Sequence, residues 1–288
     1  MTVAGRPSGM TDLPDRAWRV IPEESRPGPM QMALDEIAAE TAGSGGLRTV
    51  RVYRWEPSCL SLGYRQSADT VDWDYCESAG VDVTRRQTGG GGIYHDAVGD
   101  ISYSIVAPKS ELPGDLMDCY HLLCEPVLAA IRQMGVPAQF VESELPALYD
   151  PACYLRSLHP AHDVVVPDSP DDGEAGGAVR KLAGNAQYRR KDAVIQHGSL
   201  TYSVTPEAHL GVFADPGVDP AGFRERVTGI DEHADCSRGE AVEVLTETLA
   251  EWADAEVGGW TDDELSRARE RVETKYDADG WVREREQP

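Results

Sequence analysis

The sequence predicts an α+β (mixed α/β) fold with a central mixed sheet flanked by helices. Three observations carry this. Short segments such as Thr49 to Trp55 and Asp100 to Ala107 alternate apolar and polar residues, the period of a strand with one buried face. Longer segments such as Leu116 to Met134 repeat apolar residues at helical spacing. The two kinds mix without the strict βαβ order of a doubly wound fold, and no internal repeat is visible.

Residues 1–16 are polar and aperiodic, so a flexible tail is expected there. One folded domain is expected over 17–282, with a charged tail at 283–288. Pro29 suits a first helical turn, and Met32, Ala33, Glu36 and Ile37 carry that helix to Glu40. Strands are expected over 49–55 and 59–64, a short helix over 71–78, and a strand over 81–86. After the strand at 100–107 comes the helix from Leu116 to Met134, in which Pro126 should introduce a kink. Strands follow over 137–142, 162–166 and 193–203. The excursion at 167–178 is acidic and rich in Gly and Pro, and is expected to be exposed and mobile. Two helices close the chain. One spans Glu240 to Trp252, and the other starts at the capping box Thr261-Asp262-Asp263-Glu264, with Leu265, Ala268 and Val272 as its apolar stripe.

Net charge is −23, and only four of the 27 basic residues are lysines: Lys109, Lys181, Lys191 and Lys275. Broad acidity with scarce lysine suggests a halophilic source. It excludes non-specific nucleic-acid binding, which needs a positive surface. No apolar run approaches the roughly 20 residues of a membrane span, and the N-terminus lacks the pattern of a secretory signal. A soluble cytoplasmic protein is expected. The six cysteines are scattered without a CxxC pair and are read as free thiols, mostly buried. The seven histidines lack HxxxH-type spacing, so no metal is expected.

The most distinctive stretch runs from Arg85 to Asp96 and contains Gly89, Gly90, Gly91 and Gly92 in succession. Unshielded amides and a forked guanidinium can cradle an oxygen-rich anionic group; a flexible turn is the plainer reading. It is neither a Walker loop nor a dinucleotide turn. Flanked by predicted strands at 81–86 and 100–107, it is placed at a sheet end. Lys181 precedes a run of small residues that lets a ligand approach. It either holds a phosphate, stabilises an oxyanion or lowers a thiol pKa, or is a solvated surface lysine. Cys153 is an acyl acceptor if a cation stands nearby, and otherwise an inert thiol. His197-Gly198 and His162-Asp163 are acid/base or ligand candidates with an equal claim to structural roles.

Taken in order, several motifs resemble the catalytic domain of lipoate-protein ligases and the related cysteine-dependent octanoyltransferases, in the biotin/lipoate protein ligase superfamily. The resemblance covers about residues 18–282. It runs through Val52-Tyr53-Arg54-Trp55 and Ser61-Leu62-Gly63-Tyr64 to Arg85-Arg86 and Gly89-Gly90-Gly91-Gly92-Ile93-Tyr94-His95-Asp96. It continues at Lys181-Leu182-Ala183-Gly184-Asn185-Ala186-Gln187 and His197-Gly198-Ser199-Leu200, and ends at Lys275-Tyr276 with Trp281. The fold it implies is a biotin/lipoate ligase-like catalytic domain with an acyl chain in an apolar channel.

On mechanism the resemblance is divided. A ligase would use ATP and Mg2+ to activate lipoate or octanoate as an acyl-adenylate. Arg86, Gly91, Gly92, Ile93, Tyr94, His95 and Lys181 would then contact the nucleotide or acyl phosphate. Gly90, Gly184, Ala186, His197 and Gly198 would line the acyl pocket. A transferase would move octanoyl from acyl carrier protein to Cys153, whose pKa Lys181 lowers. In both, the acceptor is a lipoyl-domain lysine, on H protein or a dehydrogenase E2. The uninterrupted glycine run and His162-Asp163, similar to the ligases' Asn-Asp, favour the ligase. Ala152-Cys153-Tyr154 favours the transferase. The ligase is the reading preferred from sequence, with an accessory small ligase subunit as a possible partner.

Overall fold

The structure, a computed structural model, describes residues 17–168 and 178–287. The expected tail at 1–16 and most of the excursion at 167–178 lie outside these residues. In chain order the strands are β1 (Trp18–Arg26), β2 (Arg48–Trp55), β3 (Cys59–Leu62), β4 (Asp82–Arg85), β5 (Ile93–His95), β6 (Asp100–Pro108), β7 (Gln139–Phe140), β8 (Asp163–Pro167), β9 (Val179–Arg189), β10 (Ala193–Thr201) and β11 (Glu256–Val257). The helices are α1 (Gly28–Gly43), α2 (Trp73–Ala79), α3 (Leu116–Gln133), α4 (Pro206–Gly211), α5 (Pro220–Arg226), α6 (Arg238–Ala253), α7 (Asp262–Arg271) and α8 (Asp279–Val282).

Eight strands form one sheet in the order β11-β1-β2-β6-β10-β9-β8-β7. β1 runs parallel to β2 and β11, and the other pairs are antiparallel, so the sheet is mixed as expected. A second, three-stranded sheet has the order β4-β3-β5. The glycine run therefore joins β4 to β5 within this small sheet, not β4 directly to β6. Three residues, Ile93 to His95, are too few to show a period, which is why β5 is hidden in the sequence. The expected strand at 137–142 shortens to Gln139–Phe140. β1, α4 and α5 are additions that sequence periodicity does not mark.

Helix starts follow local chemistry. Asp115 accepts from the amides of Met117 and Asp118 to cap α3, which continues through Pro126. Ser237 with Glu240, and Thr261 with Glu264, close reciprocal capping boxes on α6 and α7. The αL residue Gly80, φ 65°, ends α2.

The layers are set by burial. α3 and α6 cover one face of the large sheet, with Leu123, Val127 and Ile131 meeting Leu245 and Leu249 over the strands. On the other side α1 packs against α7 and the strands through Met32, Leu34 and Ile37. Each such side chain contributes about 1.5–3 kcal/mol when fully buried. α1 also carries Asp35 and Glu36 into the interior, each paired there: Asp35 with Arg51 at 2.7 Å and Glu36 with Lys275 at 3.0 Å. A third cluster, with Leu60, Tyr154, Phe213 and Phe223, fixes α4 and α5 beneath the small sheet.

The chain's end is anchored. Arg85 donates to the carbonyls of Trp281 and Val282, and Trp281 Nε1 donates back to Arg85 O at 2.8 Å. Described residues of the expected tail are also held: Arg285 donates to Arg65 O and Gln287 to Tyr64 Oη.

Candidate active site

A cavity of about 280 Å³ opens between the small sheet and strands β8 to β10. That is just below the roughly 300–1,000 Å³ of drug-sized ligand sites, a size suited to a short acyl group. Cys153 and Lys181 line it together.

Lys181 comes from β9. It stands three residues before Gly184, so simple alternation would send the two to opposite faces. A bulge at Leu182, left unpaired between the pairs Val164–Ala183 and Val165–Lys181, shifts the phase of β9 and returns Lys181 to the side of Gly184. A Cβ on Gly184 would stand 3.2 Å from Lys181 Nζ, so the glycine leaves room for the ammonium. Nζ lies 2.7 Å from Asp163 Oδ1, 3.1 Å from the Cys153 carbonyl oxygen and 3.9 Å from Cys153 Sγ. Burial opposes the lysine's charge, but Asp163, and Cys153 after it, hold its pKa above the ordinary value. Burial likewise opposes the Asp163 carboxylate, and Lys181, then His162, hold it well below the usual range.

Cys153 opens a 3-10 turn, Cys153–Leu155. Its amide donates to Gly92 O at 2.8 Å, and Gly92 N donates to Pro151 O at 2.7 Å. The glycine run thus docks the cysteine segment. A Cβ on Gly91 would meet Pro151 O at 2.6 Å and Cys153 N at 2.9 Å. A Cβ on Gly63 would stand 1.9 Å from Gly90 O, and Gly90 itself has φ +99°. Of the six cysteines, four are buried, and Cys153 is the one lining this cavity.

Four residues of the loop are placed otherwise than an open anion cradle would need. Arg86 does not present an open fork. Its guanidinium donates to Ser61 O, Gly89 O, Gly91 O and Thr88 Oγ1, so it shapes the glycine loop from within. Burial lowers its pKa to about 10, which leaves it cationic near neutrality. Gly91 and Gly92 face the Cys153 segment, and Gly92 N–H is already spent. Tyr94 turns away into the third cluster, against His209 at 5.1 Å. Ile93, His95 and Gly90 do line the cavity, as do Gly184, Ala186, His197 and Gly198.

The histidines divide by partners. His95 is tied at both nitrogens, to Asp100 Oδ2 at 2.8 Å and Ser61 Oγ at 2.9 Å, and it stacks on Trp55. Burial lowers its pKa despite Asp100. His197 is tied to Thr88 Oγ1 at 2.8 Å and Asp35 Oδ2 at 3.2 Å. His162 stands at the cavity wall with Nδ1 3.4 Å from Asp163 Oδ2. Sequence reasoning gave no role to Asp35 or Ser61 and left Asp163 an unassigned candidate. An acid inside an apolar helical segment was the signal available for Asp35.

The arrangement provides a thiol beside a fixed ammonium in a small cavity, the requirement for thiol acylation. Residues 27–250 match the lipoyl protein ligase A/B catalytic domain. The octanoyltransferase LipM of Symbiobacterium thermophilum is 32% identical over 92% of this chain and 97% of its own. LipM of Kyrpidia tusciae is 31% identical over 92% and 98%. Among solved structures, the bi-partite lipoate protein ligase of Thermoplasma acidophilum superposes with TM-score 0.75 at 25% identity, over 94% of this chain and 98% of that one. A lipoate-protein ligase A bound with ATP gives 0.74 at 25% identity, over 93% and 99%. The match across 27–250, together with relatives of this identity over nearly the full chain, makes this protein a member of the lipoyl protein ligase A/B catalytic-domain family, the lipoate ligases and octanoyltransferases.

Proposed function

We propose that this chain is an octanoyltransferase acting through a Cys153 thioester. The observation that carries the reading is Lys181 Nζ 3.9 Å from Cys153 Sγ, locked there by buried Asp163. The names of the relatives at 31–32% identity support it. The Cys153 thiolate attacks the thioester carbonyl of an octanoyl acyl carrier protein. The new C–S bond forms, the carrier C–S bond breaks, and the carrier thiol leaves with the proton given up by Cys153. A lysine amine of a lipoyl-domain protein then attacks the Cys153 thioester. The amide forms, a proton leaves the amine, and Cys153 is released. Lys181 supplies fixed positive charge to the thiolate and to the oxyanion of each step.

A second reading, ATP-dependent lipoate ligation, is favoured by the likeness to the two ligase structures and by the uninterrupted glycine run. The donor set suits it less well: Arg86 and the Gly92 amide, which it would need for phosphate, already bond carbonyl oxygens. The deciding experiment gives apo lipoyl domain either octanoyl carrier protein or lipoate with ATP-Mg2+, and weighs the product. The expected result is octanoyl-lipoyl domain from the carrier arm only, abolished in Cys153→Ala. Modification by Cys153→Ala with ATP would overturn the transferase reading.

A further inference from the structure

Amide formation on a Cys153 thioester requires the acceptor lysine, an ammonium in solution, to lose two protons: one to solvent before it can attack as an amine, and one inside the site as the amide forms. The cavity's groups can be sorted by whether they can take the second. Lys181 cannot while it stays charged, and Asp163 at 2.7 Å keeps it charged. Asp163 is spent on Lys181 through Oδ1 and accepts from His159 N at 2.8 Å through Oδ2. His95 has both nitrogens engaged by Ser61 and Asp100, and His197 has both engaged by Thr88 and Asp35. His162 remains. Its Nδ1 lies 3.4 Å from Asp163 Oδ2, an acceptor, so a proton carried on Nδ1 would face that carboxylate and leave the lone pair on Nε2. Among the described residues no group hydrogen-bonds Nε2. The side chain keeps 33% of its surface exposed while lining the cavity beside Lys181, so it meets both the site and whatever enters from solvent.

Its backbone is fixed, with the carbonyl accepting from both the amide and the Nδ2 of Asn185. The ring stacks on His159 at 5.0 Å, and His159 Nδ1 accepts from Ala161 N, which turns its Nε2–H toward exposed Glu144 at 3.5 Å.

Resting on the transferase reading above, we propose that His162 is a catalytic base for the second half-reaction: its Nε2 takes the proton from the acceptor lysine as the amine attacks the Cys153 thioester. The N–C bond forms, the Cys153 C–S bond breaks with Cys153 leaving as the thiolate beside Lys181, the proton moves to His162 Nε2, and the partly exposed ring returns it to solvent. The first half-reaction, an exchange between thiol and thioester, needs no such base. One Asp163 carboxylate thus orients two groups with different tasks, charge at Lys181 and proton removal at His162.

The groups facing His162 are Asp163, His159 and Tyr120, with Lys181 beyond Asp163 and Arg156 in the same wall. All are retained in His162→Asn, whose amide keeps a donor toward Asp163 but offers no base. The test separates the half-reactions. Wild type and H162N are first loaded with octanoyl from the carrier protein, and the Cys153 thioester is followed by intact mass. Apo lipoyl domain is then added in single-turnover mode across pH. The expected result is loading within twofold of wild type and transfer slowed by about 10²-fold or more. The acid limb of the wild-type transfer profile is lost in the variant, and added imidazole restores part of the rate. Transfer by H162N within twofold of wild type would overturn the proposal, as would equal loss in both half-reactions. Failure of wild type itself to load Cys153 would sink the transferase reading instead.

Discussion

Lys181 is defined by its neighbours more than by its own chemistry. A buried ammonium without a partner would lose its proton or unfold the site. Asp163 prevents this at 2.7 Å and fixes Nζ between the Cys153 carbonyl and thiol. The charge therefore serves as a permanent electrostatic element at working pH. Lys181→Gln keeps most of the volume and a donor but removes the charge, and leaves Asp163 buried with its cation gone. The expected outcome is a fall in octanoyl loading of Cys153 of about 10²-fold or more, measured as the pre-steady-state rate of thioester formation. A change below threefold would show that the ammonium does not stabilise the reacting thiolate.

Among elements, the glycine loop and the 150–153 segment form one unit. Gly91 permits the close approach of two backbones, a Cβ at Gly92 would press on the Phe213 and Leu60 side chains, and Arg86 knots the loop by bonding carbonyls. The clash for Gly91→Ala is with backbone atoms, which cannot swing aside as a side chain would. The segment carrying Cys153 must shift, and a displacement of about 1 Å costs on the order of 10²-fold in rate. The expected result is a transfer rate lower by that order with far-UV circular dichroism unchanged. Gly89→Ala, with nothing within 4 Å of its Cβ, serves as the control and should retain activity.

For the whole molecule, charge is distributed unevenly between inside and outside. With a net charge of −23, the chain nevertheless buries Arg19, Arg48, Arg51, Arg85, Arg86 and Lys181. These bond carboxylates or carbonyls, so their charge does nothing to offset the acidic surface. Stability also carries a titrating element in the third cluster. His209 is buried among Tyr94, Tyr154 and Phe223. Burial, opposed only partly by Asp96 and Asp100, lowers its pKa from 6.5 to about 4. The unfolded chain therefore binds a proton that the folded chain refuses between those values. The stability this histidine contributes is present above pH 6.5 and declines as pH falls toward 4. It amounts to about 3 kcal/mol across that window. Urea unfolding as a function of pH should show this slope in wild type and a flatter one in His209→Gln. Parallel curves would place the titration elsewhere.

How much was legible follows from what is local. Alternation in β2 and β6, the helical period of α3 and the capping box of α7 are encoded within a few residues. They gave the mixed α+β class directly. The motif order, from Arg85-Arg86 through the glycine run to Lys181 and His197-Gly198, fixed the family and most of the cavity wall. β5 and α4 were too short to show a period, and Tyr94 was misplaced because the face of a three-residue strand cannot be read from its sequence.

The sequence by itself determined the fold class, the family, and Cys153 and Lys181 as candidates, since each depends on residue type and order along the chain. Only the tertiary structure decided what those residues meet. Cys153 and Lys181 stand 28 positions apart, and a bulge in β8/β9 and a close approach at Gly91 bring them to 3.9 Å. The same packing spends Arg86 on carbonyl oxygens and, among the described residues, leaves one nitrogen of His162 without a hydrogen-bond partner. Partnership across strands, rather than residue identity, sets which groups hold charge and which can move a proton.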